Sequence, residues 1–423
     1  MINLNDKGFS VENSPEENSA IMQEAVSCGG DIYVGVPGVY KMSEPINLGD
    51  DTSIYFGAGV YIKRATCKEE TGYVLVNSGA FTNQYNKNIK IVGLKLICDG
   101  CQCSGATKES KKVIPGLRGH LAFYHIKNLT ITDCEMLDTP AKDFGIHICD
   151  FENVVIENVR IEGLKDAVHF GCGSKFVIRH GLFRTFDDPI ALNAHDYASS
   201  NPMLGWIEDG LIEDCYDLDD DTTTGYFCRI LAGSWRKWES GMKIQNSDSV
   251  IHDGRIYRAL MVPDEKIYTS ITAPSHKKGM MVVDGINWVV VQENEEHNCG
   301  CRNIHFKDIH IKKKRPIAFS LHFDKDRFSR SYYPNSEAPV QENITFENVS
   351  VENDVPVFLY SRTPIKNVRI INSNLANSTI LLEHINTEGI TYPQSDFFFS
   401  GTYAKFDDDF IKADEGLSVQ IIK

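Results

Sequence analysis

The sequence predicts an all-β fold, a right-handed parallel β-helix in which each turn of chain stacks on the turn before it. A short phrase recurs along the chain: Asn, an aliphatic residue, any residue, Ile or Phe, and then Asp or Asn two places on. Clear copies begin at Asn128, Asn153, Asn303 and Asn343, and weaker copies at Asn88, Lys175, Asp209 and Asn367. The closest copies are 22–25 residues apart, which is typical of a stacked repeat. Apolar and polar residues alternate within each copy, as in a strand, so each copy buries its apolar face only by stacking on its neighbours.

Stacking also predicts how equivalent residues meet. Residues one coil apart become neighbours at strand spacing, about 4.8 Å. We therefore expect the Asn that opens each copy to bond to its equivalent one rung away, as an internal ladder of side chains.

The N-terminal region predicts a cap for the solenoid. Residues 16–27 have the pattern of an amphipathic helix, which Cys28-Gly29-Gly30 ends. This helix would cover the open end of the apolar core. The order of helix, Gly-Gly-strand, Pro37-Gly38-Val39-Tyr40 and Gly57-Ala58-Gly59 resembles the cap and first coil of pectin-degrading β-helix enzymes.

The coil pattern breaks once over a long stretch. Residues 245–298 carry Asp253-Gly254 and Asp284-Gly285 between short apolar runs, which predicts a small inserted β module. Residues 1–244 and 299–423 are then assigned to the β-helix, and the last forty residues to a C-terminal cap.

Composition excludes several classes of partner. The 423-residue chain has a net charge of -15 and no basic patch, which argues against nucleic acid. No run approaches the ~18 apolar residues of a membrane helix, so we expect no membrane association. The first residues lack the pattern of a signal peptide, which favours a cytoplasmic protein. Cys98, Cys101 and Cys103 form the one tight cysteine cluster and lack a fourth ligand, so we expect free thiols and no metal or other cofactor.

Three carboxylates are predicted to converge. The segments 143–148, 165–170 and 187–192 share one register, each 22 residues from the next. Asp166 then lies directly below Asp188, with Asp187 beside it. Like charges this close raise at least one pKa and prepare an acid and a base, which is the pairing that glycoside hydrolysis needs. The alternative interpretation is a set of solvated carboxylates at strand ends.

Two segments of this cluster resemble polygalacturonases of glycoside hydrolase family 28. That family carries Asn-Thr-Asp, then Gly-Asp-Asp about one coil later, then Gly-His-Gly and Arg-Ile-Lys. This chain has Leu164-Lys165-Asp166 and Phe186-Asp187-Asp188 at the family's interval, and Arg229-Ile230-Leu231 resembles the last segment. It has no Gly-His-Gly, and Leu231 replaces the lysine that would meet a galacturonate carboxylate.

The resemblance implies a role for each matched residue. Asp187 would be the general acid, and Asp166 and Asp188 would hold and deprotonate the attacking water, which gives inversion. Arg229 would bind the substrate through a carboxylate or hydroxyl.

Further substrate-binding candidates come from the surrounding segments. They are His147, His169, His195, Asp196, Trp235 and Arg330. His147 and His169 stack one coil apart, and the alternative is a polar ladder. His125 is expected to fall outside this stack, because its coil carries extra residues. His195 could tune the protonation of Asp188 or only bond water, and Trp235 could stack on a sugar or only anchor the insert.

An acidic run, Asp217 to Asp221, could bind calcium. A solvated loop is the favoured interpretation, because the run lacks the spacing of an EF-hand.

These observations favour a glycoside hydrolase acting on a plant-derived, pectin-like oligosaccharide. A polysaccharide lyase stays open because Lys165 stands beside Asp166. A non-catalytic, carbohydrate-binding β-helix is the third hypothesis. The sugar, the linkage, exo or endo action and the oligomeric state stay open.

Overall fold

The computed structural model is a parallel β-helix, as the repeat predicted. It describes residues 1–65, 73–101, 113–260, 266–293, 296–323, 338–384 and 392–422. One sheet of 26 strands, all paired in parallel in the coils, forms the solenoid. Its strands are Ile2–Asn3, Gly30–Val34, Gly38–Met42, Ile46–Leu48, Thr52–Phe56, Val60–Arg64, Leu75–Asn77, Asn86–Val92, Lys95–Ile97, Gly119–Thr139, Phe144–Gly163, Val168–Phe170, Gly173–Thr185, Ile190–Asn193, Ile207–Asp217, Cys228–Leu231, Cys301–Ile311, Ile317–His322, Gln341–Val351, Val357–Ser361, Ile365–Lys366, Val368–Ile371, Thr379–Leu382, Ser395–Ser400, Ile411–Ala413 and Val419–Ile422.

The core consists of columns of apolar side chains, one from each coil. One column runs through Leu129, Val154, Phe176, Gly210 and Ile304. The Phe176 ring fills the space that a side chain on Gly210 would need, since a Cβ there would lie 2.1 Å from Phe176 Cζ. The alternation of the phrase thus fills the inside of the solenoid coil by coil.

The two polar positions of the phrase are corners of the coil. Asn128 and Asp133 have φ of 55° and 57°, and Asn153 and Asn158 have 62° and 52°. This left-handed backbone costs most residues about 1–2 kcal/mol, and Asn and Asp visit it most readily after glycine. The phrase therefore marks two corners on either side of a short strand.

The predicted asparagine ladder is present, but its expected internal location was wrong. Asn153 Nδ2 donates to Asn128 Oδ1 at 2.8 Å, and Asn128 Nδ2 donates to Asn88 Oδ1 at 2.8 Å. All three side chains are exposed, because the left-handed corner turns them away from the core. The amides bond to one another along the outside of the solenoid.

The capping helix is confirmed and spans Pro15–Ser27. Ser14 and Glu17 form a reciprocal capping box, which satisfies backbone donors at its start. Met22 and Val26 are buried in the apolar core at this end of the solenoid. A short 3-10 helix, Asn5–Lys7, precedes it, and a second one spans Ser78–Phe81. No helix within the described ranges is long and apolar enough to cross a bilayer.

A small β module interrupts the coils. Its five-stranded sheet has the order Arg236–Lys237, Ser249–His252, Arg255–Ala259, Ile286–Glu293 and Met280–Val283. Two short pairs accompany it: Gly233–Ser234 with Asn298–Cys299, and Met242–Ile244 with Tyr268–Ser270. The module has its own buried cluster around Tyr257 and Trp288. Its first strands lie before residue 245, and the domain limits 245–298 stay a prediction.

Candidate functional site

The register brings Asp166, Asp187 and Asp188 together. Val168 pairs with Ile190 on the next coil. Asp166 and Asp188 each lie two residues before these positions, so they are stacked as well. One carboxylate oxygen from each of the three residues lies within 4.8 Å of the others. Asp166 and Asp188 are buried, whereas the Asp187 side chain is 29 % exposed. The cluster thus has one member that faces solvent and two that lie beneath it.

Backbone contacts hold the buried members. The Tyr226 amide donates to Asp188 Oδ1 at 2.8 Å, and the Ala167 amide donates to the Asp188 carbonyl at 3.0 Å. Asp188 Oδ2 has no protein partner among the described residues. This oxygen is therefore free to bond a water or a ligand.

Lys165 belongs to the cluster, although the sequence suggested it only as a base for the lyase alternative. Its Nζ donates to Asp187 Oδ2 and lies 3.7 Å from Asp166 Oδ1. It also lies 5.7 Å from the centre of the Phe144 ring. The side chain is 19 % exposed, so a cation stands at the mouth of the carboxylate group.

The three carboxyl groups have different proton affinities. Burial raises the pKa of Asp188 well above its usual range, and the charges of Asp187 and Asp166 raise it further. Burial and Asp166 also raise the pKa of Asp187, although Lys165 opposes them. Burial acts in the same direction on Asp166, but Lys165 and His169 outweigh it and hold its pKa well below the usual range. Neighbouring carboxyls with separated pKa values are what an acid–base pair requires.

The predicted histidine stack lies directly behind Asp166. His169 Nδ1 bonds to Asp166 Oδ2 at 2.8 Å, and its Nε2 lies 3.5 Å from Asp196 Oδ2. The His147 ring stands edge-on to His169 at 4.8 Å. Burial, His169 and Arg118 hold the pKa of His147 well below its usual range, so this ring stays neutral.

This stack has no solvent-facing surface. His147 and His169 are both fully buried, and Phe144 stacks on His169 at 3.9 Å. His169 therefore supports Asp166 from below and His147 packs against His169, as in a polar ladder, and neither ring offers a surface to substrate in this structure. The Arg118 guanidinium lies over the Phe144 ring and donates a hydrogen bond to the Tyr197 hydroxyl, so these side chains pack beside the histidine pair.

Asp196 and Arg229 complete the charge balance of the site. Asp196 is buried and accepts bonds from Asn193 Nδ2 at 2.8 Å and from the Tyr197 amide at 2.7 Å. Arg229 pairs in register with Ala191, which pairs with His169. Burial alone would lower the pKa of Arg229, but Asp196 and Asp188 keep it above the usual range. Arg229 is thus a fixed positive charge beside the cluster.

The structure does not bring His195 and Trp235 to the carboxylates. The His195 ring is buried and lies parallel to Trp235 at 6.4 Å, and a Cβ on Gly233 would fall 2.3 Å from it. Burial and Arg258 hold the pKa of His195 well below its usual range. Trp235 is 1 % exposed and packs in the core, so it offers no face to a sugar and instead joins the insert to the coils. Arg330 lies outside the described residues.

Two members of the acidic run, Asp217 and Asp220, are paired with arginine and lysine. Lys313 Nζ is buried and bonds Asp220 Oδ2 at 2.9 Å, Thr222 Oγ1 at 2.8 Å and the Thr185 carbonyl at 2.6 Å. An ammonium group therefore occupies the position among oxygens that a calcium ion would take. The solvated-loop interpretation was also wrong for Asp217, which is fully buried against Arg315.

Comparisons with known proteins support the same fold. The chain is similar in structure to the family 28 exopolygalacturonase of Yersinia enterocolitica, with a TM-score of 0.51, 13% identity, and coverage of 100% of this chain and 78% of that one. It is also similar to a polygalacturonase of Erwinia carotovora, with a TM-score of 0.51, 11% identity, and coverage of 97% and 94%. For an endo-xylogalacturonan hydrolase of Aspergillus tubingensis the TM-score is 0.50, at 11% identity and coverage of 96% and 98%. No protein-family model and no curated protein sequence matches the chain. The resemblance to family 28 is thus confirmed for the β-helix fold.

Proposed function

We propose that this protein is a glycoside hydrolase that acts on a plant-derived, pectin-like oligosaccharide through Asp166, Asp187 and Asp188. The observation that carries the proposal is the meeting of three carboxylates within 4.8 Å, with pKa values driven in opposite directions. The similar β-helix proteins named as polygalacturonases and a xylogalacturonan hydrolase favour a pectic substrate.

Asp187 is the general acid in this mechanism. It is the most exposed of the three carboxyls and its pKa is raised, which favours the protonated form that can give its proton to the leaving glycosidic oxygen. Lys165 contacts the same carboxyl and would stabilise the anion that remains after proton transfer.

Asp166 and Asp188 hold the attacking water. A water bonded to both at about 2.7 Å fits between oxygens up to about 5.4 Å apart, and the observed limit is 4.8 Å. Asp166 is ionised and accepts the proton of the water, while Asp188 orients it. His169 lies behind Asp166 and supports the charge changes there. By the likeness to family 28, water attacks from the face opposite the leaving group and inverts the anomeric centre.

Arg229 and Lys165 are the cations beside the cluster that suit an acidic sugar. Arg229 is charged and two rungs from His169 along the same face. A guanidinium binds a carboxylate through two parallel hydrogen bonds, which fits a uronate ring. Leu231 occupies the place of the family's lysine, so we expect the acidic ring to be held differently from galacturonate in a typical polygalacturonase.

The test is a reducing-sugar assay over pectic, xylan and fructan oligosaccharides. Each of Asp166→Asn, Asp187→Asn and Asp188→Asn should lower kcat by about 10²- to 10⁴-fold, the usual contribution of a general acid or base. Asp214→Asn is the matched control, because Asp214 is a surface corner residue that pairs with His180. NMR of the first product should show the inverted anomer. Sugar binding without turnover by the wild type would refute the proposal.

A polysaccharide lyase is the second candidate, because Lys165 stands between Asp166 and Asp187. A lyase releases an unsaturated product that absorbs ultraviolet light, and EDTA usually stops it. We expect EDTA to have no effect, because Lys165 contacts Asp187 and Asp166, and Lys313 lies among the oxygens of the Asp220 loop. An ultraviolet-absorbing product that disappears with EDTA would select the lyase.

The proposed substrate is a short oligosaccharide. The same sugar screen tests this, since each oligosaccharide can be compared with the polymer it comes from. Activity confined to long polymers would contradict it.

A further inference from the structure

The backbone of Asp187 is held by a buried arginine that lies 128 residues later in the chain. Arg315 Nη1 donates to the Thr224 carbonyl at 2.7 Å and to the Asp187 carbonyl at 3.4 Å. Its Nε and Nη2 donate to the two oxygens of Asp217 at 2.6 and 2.9 Å. One edge of the Arg315 guanidinium therefore ion-pairs with Asp217, and the other edge binds two backbone carbonyls.

The two residues before Asp187 are held in the same way. Lys313 Nζ donates to the Thr185 carbonyl at 2.6 Å, and Thr224 Oγ1 donates to the Phe186 carbonyl. Thr185 Oγ1 adds a bond to the Asp187 carbonyl at 2.7 Å. Three consecutive carbonyls leading to the carboxylate pair thus have fixed donors.

The close packing of Arg315 and the Asp187 backbone requires a glycine at position 225. Gly225 has φ of 70°, and a Cβ on it would lie 2.7 Å from the Asp187 carbonyl carbon and 2.8 Å from Arg315 Nη1. Real Cβ contacts of that length do not occur, so any side chain here must displace either Asp187 or Arg315.

We propose that Arg315, seated against Gly225, is a positioning residue that sets the distance of the Asp187 carboxylate from Asp166 and Asp188. Its catalytic consequence rests on the proposed hydrolase function. Arg315 is neutralised by Asp217, so it acts on Asp187 through geometry. A guanidinium is suited to this role because its planar fork presents donors in fixed directions to two partners at once.

The first test is Gly225→Ala against Gly254→Ala. Gly254 has φ of 71° and open space around its Cβ, so its variant carries the same backbone strain without a clash. We expect Gly225→Ala to lower kcat by about 10²-fold, as an ångström-scale displacement of a catalytic group does, with KM unchanged. Gly254→Ala should match the wild type in both. Equal kcat in the two variants would overturn the proposal.

The second test is the pH profile of Arg315→Lys. Lysine keeps a positive charge near Asp217 but has one nitrogen, so it cannot hold Asp217 and both carbonyls together. Asp187 is faced by the carboxyl groups of Asp166 and Asp188 and by the positive Lys165 and Arg229. If Asp187 moves away from these four side chains, its carboxyl becomes more exposed to solvent and its raised pKa falls. The alkaline limb of the pH profile of kcat should therefore move to lower pH. A purely structural role would lower Tm and leave the profile of the folded fraction unchanged.

Hydrogen exchange separates failure of this inference from failure of the proposed function. Peptides covering residues 185–190 should exchange faster in Gly225→Ala and Arg315→Lys than in Gly254→Ala and the wild type. If the wild type hydrolyses no sugar, the proposed function fails and exchange alone decides the positioning role. Unchanged exchange in both variants would overturn that role.

Discussion

The ammonium of Lys165 donates a hydrogen bond to the carboxyl group of Asp187 across one coil, 22 residues apart in the chain. This is also where the sequence departs from family 28, since Lys165 stands in the place of the family's threonine. The substitution puts a permanent charge beside the residue that we assign as general acid. Its chemical effect can be read from the pH dependence of the reaction.

Replacing Lys165 by Met should move the pH profile of kcat to higher pH. Lys165 lowers the pKa of both Asp166 and Asp187, so without it both groups bind protons more tightly. Asp187 then stays protonated to higher pH, and Asp166 needs higher pH to ionise, so both limbs rise. Rate measurements from pH 3 to 9 would detect this. Lys175→Met is the control, because Lys175 is 60 % exposed and pairs with Glu152 on the surface. Loss of turnover at every pH would instead identify Lys165 as the base of a lyase.

Replacing Asp188 by Asn should stabilise the folded protein at neutral pH while it lowers kcat. The folded state raises the pKa of Asp188 above its unfolded value, so this carboxyl favours folding at low pH and loses that contribution as pH rises through the folded pKa. Asn resembles the protonated form and keeps the bond from the Tyr226 amide. We expect a gain of about 1–2 kcal/mol at pH 8, as is usual when a strained active site is relieved, and little gain at pH 4. Thermal unfolding at both pH values measures it, and equal gains would contradict the assignment.

Replacing Asn153 should separate the two functions of a corner asparagine. Asn153→Ala loses the bond to Asn128 and also places Ala at φ of 62°, which costs about 1–2 kcal/mol. Asn153→Gly also loses the bond, but glycine adopts this positive φ without the conformational cost. Urea unfolding should therefore rank the stabilities as wild type, then Gly, then Ala. If Gly is as damaging as Ala, the amide ladder rather than the left-handed corner explains the choice of residue.

Replacing Trp235 by Phe should destabilise the protein and leave KM unchanged. The indole is buried where the insert meets the coils, so the smaller ring leaves a cavity, at a cost of about 1–3 kcal/mol. Chemical unfolding and steady-state kinetics on the folded protein test the two halves. A raised KM at unchanged stability would show that this ring contacts sugar after all.

The coil register was predictable because the side-chain pattern and the corner residues repeat together. The 22-residue interval was enough to stack Asp166 and Asp188 and to pair His147 with His169. It also excluded His125 correctly, since Ala122 lies under His147 and His125 bonds to Asp150 instead. Local spacing fixes such contacts wherever the coil is uninterrupted.

Contacts across the insert were not predictable in this way. Lys313 and Arg315 neutralise Asp220 and Asp217 from more than ninety residues away, with the module between them. His195 and Trp235 fall where a strand has ended, and there the alternation no longer tells which face a side chain takes. The surroundings of these residues therefore depend on packing between segments that are distant in sequence.

The outer asparagine ladder has a polarity, since each amide donates to its equivalent on the preceding coil. One run joins Asp51, Asn88, Asn128 and Asn153, and a second joins Asp209, Asn303, Asn343 and Asn367. Amide dipoles aligned head to tail polarise one another, so each run gains cooperativity along the solenoid axis. Lys175 occupies the corner between the two runs, on the strand that follows Asp166 and precedes Asp187. Under a pulling force we expect the solenoid to part first at this coil, which would make the region around the carboxylates a mechanical weak point between two stiffer halves.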